Sequence, residues 1–227
     1  MKSSMPEAYG YLRFFHGLCL PVSYDLYLDE KCLIKDLLFK DFTHYQPLPA
    51  GEHTLILCAH HDKEPLFTQK FIIREQRIYT LVLYGQIPLV NEKAHPTQKV
   101  PSPETPALLP NIHYSCHLIV EPPKPIPEEH FLLRIANFIS PLPDTHLELV
   151  DTKPIFKKLP YLSTSAYLAF LPQTYTLQLH QLFDDKILCE KAEVPLKFGR
   201  YYTLYLVGTL DQPTCCLTID GSAFLSF

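Results

Sequence analysis

The sequence has no tryptophan and only 7 glycines against 22 prolines. So little glycine excludes the Gly-rich loops that cradle phosphates, and so much proline argues against long helices. No G-x-S-x-G, G-x-G-x-x-G, Gly-Lys-Ser/Thr or H-E-x-x-H motif occurs, which removes the common hydrolase, dinucleotide, nucleotide and zincin signatures. No apolar run approaches the roughly 18 residues of a membrane span. No run of Lys and Arg forms a basic stripe, and 20 Lys+Arg against 24 Asp+Glu leave a net charge of -4. Nucleic acid is therefore not an expected partner. The N-terminal apolar segment is broken by Arg13 and His16 and has no signal-peptide core. The expected location is cytoplasmic, with spore or cell-surface association as the other possibility.

What the sequence does have is a balanced, foldable composition. Its 227 residues are 47% hydrophobic and 19% charged, enough for one large domain or two small ones. The seven cysteines are odd in number, irregular in spacing and without a CxxC pair. They read as reduced thiols packed among apolar neighbours. A vicinal Cys215-Cys216 disulfide is disfavoured, because adjacent strand residues point to opposite faces.

An internal duplication organises the chain. Tyr11-Leu12-Arg13-Phe14-Phe15-His16 is answered by Leu132-Leu133-Arg134-Ile135-Ala136-Asn137, and Tyr24 to Asp29 by Thr145 to Val150. Leu48 to Leu55 is answered by Leu171 to Leu177, and Tyr79 to Gly85 by Tyr202 to Gly208. The offset drifts only from 121 to 123 residues, so strands match and loops carry the indels. A weaker match aligns Cys116 to Glu121 with Cys215 to Asp220. It implies an insertion of 24 residues in the first copy, approximately Pro88 to Ile112. Ten of the 22 prolines fall between Gln86 and His130, so this segment is expected to be a loosely packed excursion.

Segments of five to eight alternating residues, rich in Tyr, Phe, Thr, Val, Ile and Leu, recur with turn signals between them. The fold class is all-β: two tandem antiparallel β-sandwiches, immunoglobulin-like or transthyretin-like, spanning residues 9–121 and 131–221. About seven strands are expected in each copy. The one helix-like stretch is Glu30 to Lys40.

The order Arg13 to His16, Asp25 to Asp29, Tyr45 to Thr54 and Tyr79 to Gly85 resembles the bacterial family known as domain of unknown function 4397. The resemblance covers most of residues 9–85 and 131–220. It implies a tandem all-β sandwich with no established activity. Members usually follow the first strand with His-x-Ser-Pro-Asp-Ala-Pro; the second copy, with Ser140-Pro141-Leu142-Pro143-Asp144, is closer to this than the first.

Candidate sites are sparse. His16 and Asn137 occupy the same place in the two copies, either as polar groups of a binding site or as braces for the Pro turn that follows. Arg13 and Arg134 alternate with apolar residues; they enter the same candidate binding set, or else pair with an acid such as Asp25. Cys58, His60 and His61, with His53 nearby, are the candidate metal ligands, on a segment that also reads as a solvated hairpin tip. His113 and His117 have a spacing that binds zinc on a helix but places them ~13 Å apart on a strand. Glu128-Glu129 and Asp184-Asp185 read as acids in polar turns. No cofactor is expected. The sequence thus points to a non-catalytic structural or protein-binding module. The alternatives are a sugar- or peptide-binding protein using the cleft between the copies, and a metal-dependent hydrolase built on the His60-His61 region.

Overall fold

A computed structural model describes residues 8–62, 64–86, 112–121, 125–139, 145–150, 155–181, 186–223 and 225. The Pro-rich insertion, up to residue 111, lies outside the described residues, as does Asp184-Asp185. The first repeat contains β1 (Tyr9–His16), β2 (Tyr24–Leu28), β3 (Lys31–Leu37), β4 (Gln46–Pro49), β5 (Gly51–Ala59), β6 (Pro65–Ile73), β7 (Ile78–Gln86) and β8 (His113–Val120). The second contains β9 (Phe131–Asn137), β10 (Thr145–Leu149), β11 (Phe156–Lys157), β12 (Leu168–Phe170), β13 (Gln173–Gln181), β14 (Ile187–Leu196), β15 (Tyr201–Gly208) and β16 (Pro213–Ile219).

Each repeat is a sandwich of two four-stranded sheets, β4-β1-β7-β8 over β3-β2-β5-β6 and β12-β9-β15-β16 over β11-β10-β13-β14. The duplication extends to the register. Parallel β1 and β7 pair Arg13 with Thr80, and parallel β9 and β15 pair Arg134 with Thr203. On β8 and β16, Cys116 faces Leu83 as Cys215 faces Leu206, so the weak sequence match there is in register. The immunoglobulin plan puts the first two strands in one sheet. Here β1 and β2 lie in opposite sheets, and eight strands replace the seven expected per copy.

Alternation decides the two inner cores. Tyr24, Leu26 and Leu28 of β2 and Leu55 and Leu57 of β5 pack against Leu12, Phe14, Leu81 and Leu83 of the facing sheet. Leu147, Leu149, Leu177 and Leu179 do the same against Leu133, Ile135, Leu204 and Leu206. The sheets of β1 and β9 are buried on both faces; every residue of β9 is buried. Their second faces pack on one another through Phe15, Val82, Ile119, Ala136, Tyr205 and Val207. The molecule is therefore a stack of four sheets, with β1 and β9 in the two middle layers. Strands covered on both sides read as continuous apolar runs, as Tyr79 to Tyr84 does.

Two expectations are corrected. Glu30 to Lys40 is not a helix; it contains strand β3, an edge strand that pairs antiparallel with β2. The turn between them places Asp29 and Glu30 at φ 48° and 66°, a tight hairpin turn without the usual glycine. Asp29 holds it by accepting from the Thr54 backbone N–H at 2.9 Å and bonding His53 Nδ1 at 2.6 Å. Nor are all seven cysteines reduced: Cys189 of β14 and Cys215 of β16 form a disulfide across the second sandwich. Cys116 stands at the position of Cys215 in the first copy, and Phe67 at that of Cys189, so only one copy has the link.

Because the middle layers are shared, the two sandwiches should unfold together. Leu57→Ala and Leu179→Ala, at equivalent core positions, should each cost about 2–5 kcal/mol. In each case denaturant unfolding followed by tyrosine fluorescence and by far-UV circular dichroism should show one coincident transition. Two separated transitions would contradict the shared-layer account.

Candidate functional site

The most unusual chemistry lies where the middle sheets meet. Each repeat contributes an arginine, a threonine, a tyrosine and an acid. In the first, Arg13 Nε donates to Thr80 Oγ1 at 2.8 Å and Thr80 donates to Glu121 Oε1 at 2.7 Å. Tyr45 donates to the same carboxylate at 2.6 Å. In the second, Arg134 Nε donates to Thr203 Oγ1 at 2.8 Å, Thr203 donates to Asp220 Oδ2 at 2.5 Å, and Tyr167 donates to Asp220. The arginines sit over aromatic rings, Arg13 4.7 Å from the centroid of Tyr45 and Arg134 4.6 Å from that of Tyr167.

The two sets then interlock. Arg13 Nη2 donates to Asp220 Oδ1 at 3.0 Å, and Nη1 donates to Thr218 Oγ1 and to the Ile219 carbonyl. Arg134 Nη1 donates to the Val120 carbonyl at 3.0 Å, and its Nη2 lies 3.4 Å from Asp220 Oδ2. The Gly221 N–H donates to Glu121 Oε2 at 2.7 Å. A Cβ at Gly221 would stand 2.9 Å from Ile78, Leu225 and Tyr45 side-chain atoms, so a larger residue there would have to displace them to keep the bond to Glu121.

Two cations and two carboxylates are thus enclosed together, all at most 3% exposed. Burial works against the Arg13 charge, but Tyr205, Tyr45, Glu121 and Asp220 outweigh it and raise its pKa. Glu121 is pushed up by burial and by the nearby Asp220 carboxylate. Burial also lifts Tyr205, to about 12. Such a cluster is held by its completeness: removing one member leaves an unpaired buried charge.

The candidate residues from sequence fall in three places. Arg13 and Arg134 are in this cluster, paired with Asp220 and Glu121 and not with Asp25. His16 and Asn137 are fully buried in equivalent turns. His16 Nδ1 accepts from the Leu18 N–H at 3.3 Å, and Asn137 Oδ1 accepts from the Ile139 N–H at 2.9 Å. Cys58, His60 and His61 are near one another, but His60 Nδ1 is bonded to Asp25 at 2.7 Å and its ring lies against His61. Burial, and then Asp25, raise the Cys58 thiol pKa. These three do not converge on a metal position. Among the described residues the ligand group that does converge is His146, Glu148 and His180. His113 and His117 are on strand β8, where their spacing separates them.

Sequence reasoning missed Glu121, Asp220, Thr80, Thr203, Tyr45 and Tyr167 as a set. The signal was present: an acid ends both members of the weakest repeat match, and Tyr45 and Tyr167 recur at an offset of 122. The space between the copies, expected as a cleft, is filled by this cluster and its apolar surround. An open pocket of about 390 Å³ lies instead within the second repeat, lined among others by Phe156, Lys157, Pro160, Ser163 and Leu168. No helix among the described residues is long and apolar enough to cross a membrane.

Residues 10–115 match the family model described as Domain of unknown function (DUF4397). The first repeat belongs to the DUF4397 family. The second lies outside the match but has the same sheet order and register. No curated protein matches the chain. Within the matched region, Arg13 to His16 and Tyr79 to Gly85 supply β1 and β7 of the middle layer.

Asp220→Asn should destabilise the protein by about 3–5 kcal/mol, because it strands two buried guanidinium groups. Glu52→Gln, which breaks the exposed Lys70–Glu52 pair, should leave denaturant stability unchanged within error. His16 gives a pH signature. Burial lowers its pKa to about 4, from 6.5 in the unfolded chain. Between those values the unfolded state binds more protons, so stability falls as pH falls, by roughly 3 kcal/mol in all. His16→Asn, which copies Asn137, should remove that slope from chemical denaturation measured between pH 7 and 4; an unchanged slope would contradict it.

Proposed function

We propose that this protein is a non-catalytic, rigid module that presents a fixed surface to a protein partner. The observation that supports this reading most is where its reactive-looking groups go. Arg13, Arg134, Glu121 and Asp220, with their tyrosines and threonines, bond to one another between the repeats and are enclosed there, away from any substrate. Four stacked sheets with an interlocked centre resist deformation, which suits a structural or docking role better than a site that must open and close.

The surface that best suits docking is one end of the second sandwich. Gln173 pairs with Leu196, and just beyond them Leu171 and Phe198 are 60% and 68% exposed. Exposed aliphatic and aromatic side chains at one end of a rigid sheet suit a protein partner. The first repeat has Pro49 and the Glu75-Gln76 turn in the corresponding region, so the apolar end belongs to one copy. The Cys189–Cys215 disulfide fits an oxidising setting such as a cell or spore surface better than a reducing cytosol.

The double variant Leu171→Ser/Phe198→Ser should stay within about 0.5 kcal/mol per site of wild-type stability. It should also lose the partner that wild-type protein captures, by cross-linking, from its native source. Equal capture by both proteins would contradict the docking face, and turnover by purified protein would contradict the non-catalytic reading.

A further inference from the structure

The outer sheet of the second sandwich carries a polar group that the module reading does not use. Strands β10 and β13 pair His146 with His180 and Glu148 with Gln178. Leu147, Leu149, Leu177 and Leu179 occupy the inner face of the same two strands, so these four residues share the outer face. An outer face is normally wet. Yet His146 and His180 are only 7% and 8% exposed, and their rings stack in parallel with centroids 5.0 Å apart.

The geometry points to a site for a divalent transition-metal ion of the zinc class, bound by His146, Glu148 and His180. One ligand atom from each lies within 4.8 Å of the others. Ligand atoms in a tetrahedral zinc site are about 3.3 Å apart, so rotation about the side-chain bonds has about 1.5 Å or less to close. The spacing has a strand logic: residues two apart on β10 share a face, and the directly opposed residue of β13 supplies the third donor. Two imidazoles and one carboxylate suit zinc, cobalt or nickel better than calcium or magnesium, which take oxygen ligands.

Two further observations support the site. His146 is under-bonded: its Nδ1 is enclosed without a hydrogen bond among the described residues, and its Nε2 has only Glu148 Oε2 at 3.7 Å. A buried imidazole left so under-bonded is stabilised by a ligand. His180, by contrast, has a side-chain partner on one ring nitrogen. Gln178 Oε1 lies 3.2 Å from His180 Nε2, and Gln178 Nε2 donates to Glu190 Oε2 at 2.5 Å, which fixes the amide. Outer partners of this kind hold metal-binding imidazoles in place.

The first repeat serves as an internal comparison. At the equivalent ladder positions it has Asp25 opposite Cys58 and Tyr27 opposite Ile56. The sheet needs no such polar set to fold, and the His-x-Glu plus cross-strand His combination is particular to the second copy.

The test uses the untagged full chain, stripped with chelator and titrated with Zn²⁺ against a chromophoric competitor. One equivalent should bind. His146→Gln/His180→Gln should abolish it, and His60→Gln/His61→Gln should bind as wild type. Glu148→Gln, at the least buried ligand, should weaken binding by more than the about 10–100-fold that losing an outer partner costs. Independently of any variant, Co²⁺ added to the wild-type chain should give the intense visible absorption of a four- or five-coordinate ion. No binding, a cobalt spectrum of the hydrated ion, or one equivalent retained by the folded double variant would overturn the proposal. So would loss of binding in the His60/His61 variant.

Discussion

Everything in this molecule is arranged around an enclosed set of charges. Two guanidinium groups and two carboxylates occupy the plane where the middle sheets touch. Each arginine is clamped by a threonine on the neighbouring strand and covered by a tyrosine ring from its own repeat. Taking such groups out of water costs several kcal/mol each, and only a complete set of partners offsets that cost. The pairing needs both repeats, because Arg13 bonds Asp220 and Arg134 bonds the Val120 carbonyl. Apolar contact among Phe15, Val82, Tyr205 and Val207 supplies attraction; the charges supply register.

This constraint explains why the copies could diverge elsewhere. The middle layers keep Arg, Thr, Tyr and an acid in both repeats. Elsewhere the repeats differ: Asp25 and Cys58 of the outer sheet in one become His146 and His180 in the other, and the disulfide linking outer and middle sheets occurs only in the second. Among positions facing the twin repeat, the polar set is kept while the apolar residues around it differ, Phe15 and Val82 in one copy standing where Ala136 and Tyr205 stand in the other.

Much of the fold was legible in the sequence, because alternation and doubly buried runs are local signals. Tyr24 to Leu28 and Tyr79 to Gly85 read as strands from their own residues. Strand β3 did not. Its hairpin turn uses Asp29 and Glu30 at positive φ, where glycine or asparagine would have announced it. The candidate site was only half legible. Arg13 and Arg134 stood out as charges inside apolar strands, but Asp220 lies 207 residues from Arg13, and no periodicity reports a pair at that distance. His146 and His180 are separated by a long stretch of chain and meet only through the β10–β13 register, so their proximity is a property of the ladder.

The most direct test of the central claim is a double-mutant cycle on Arg13→Met and Asp220→Leu, read by denaturant unfolding. Groups in one hydrogen-bonded network couple by about 0.5–3 kcal/mol, whereas distant groups add within about 0.5 kcal/mol. The account predicts that the double variant is more stable than the two single losses sum to, by above about 1 kcal/mol. Simple additivity of the two losses would contradict it.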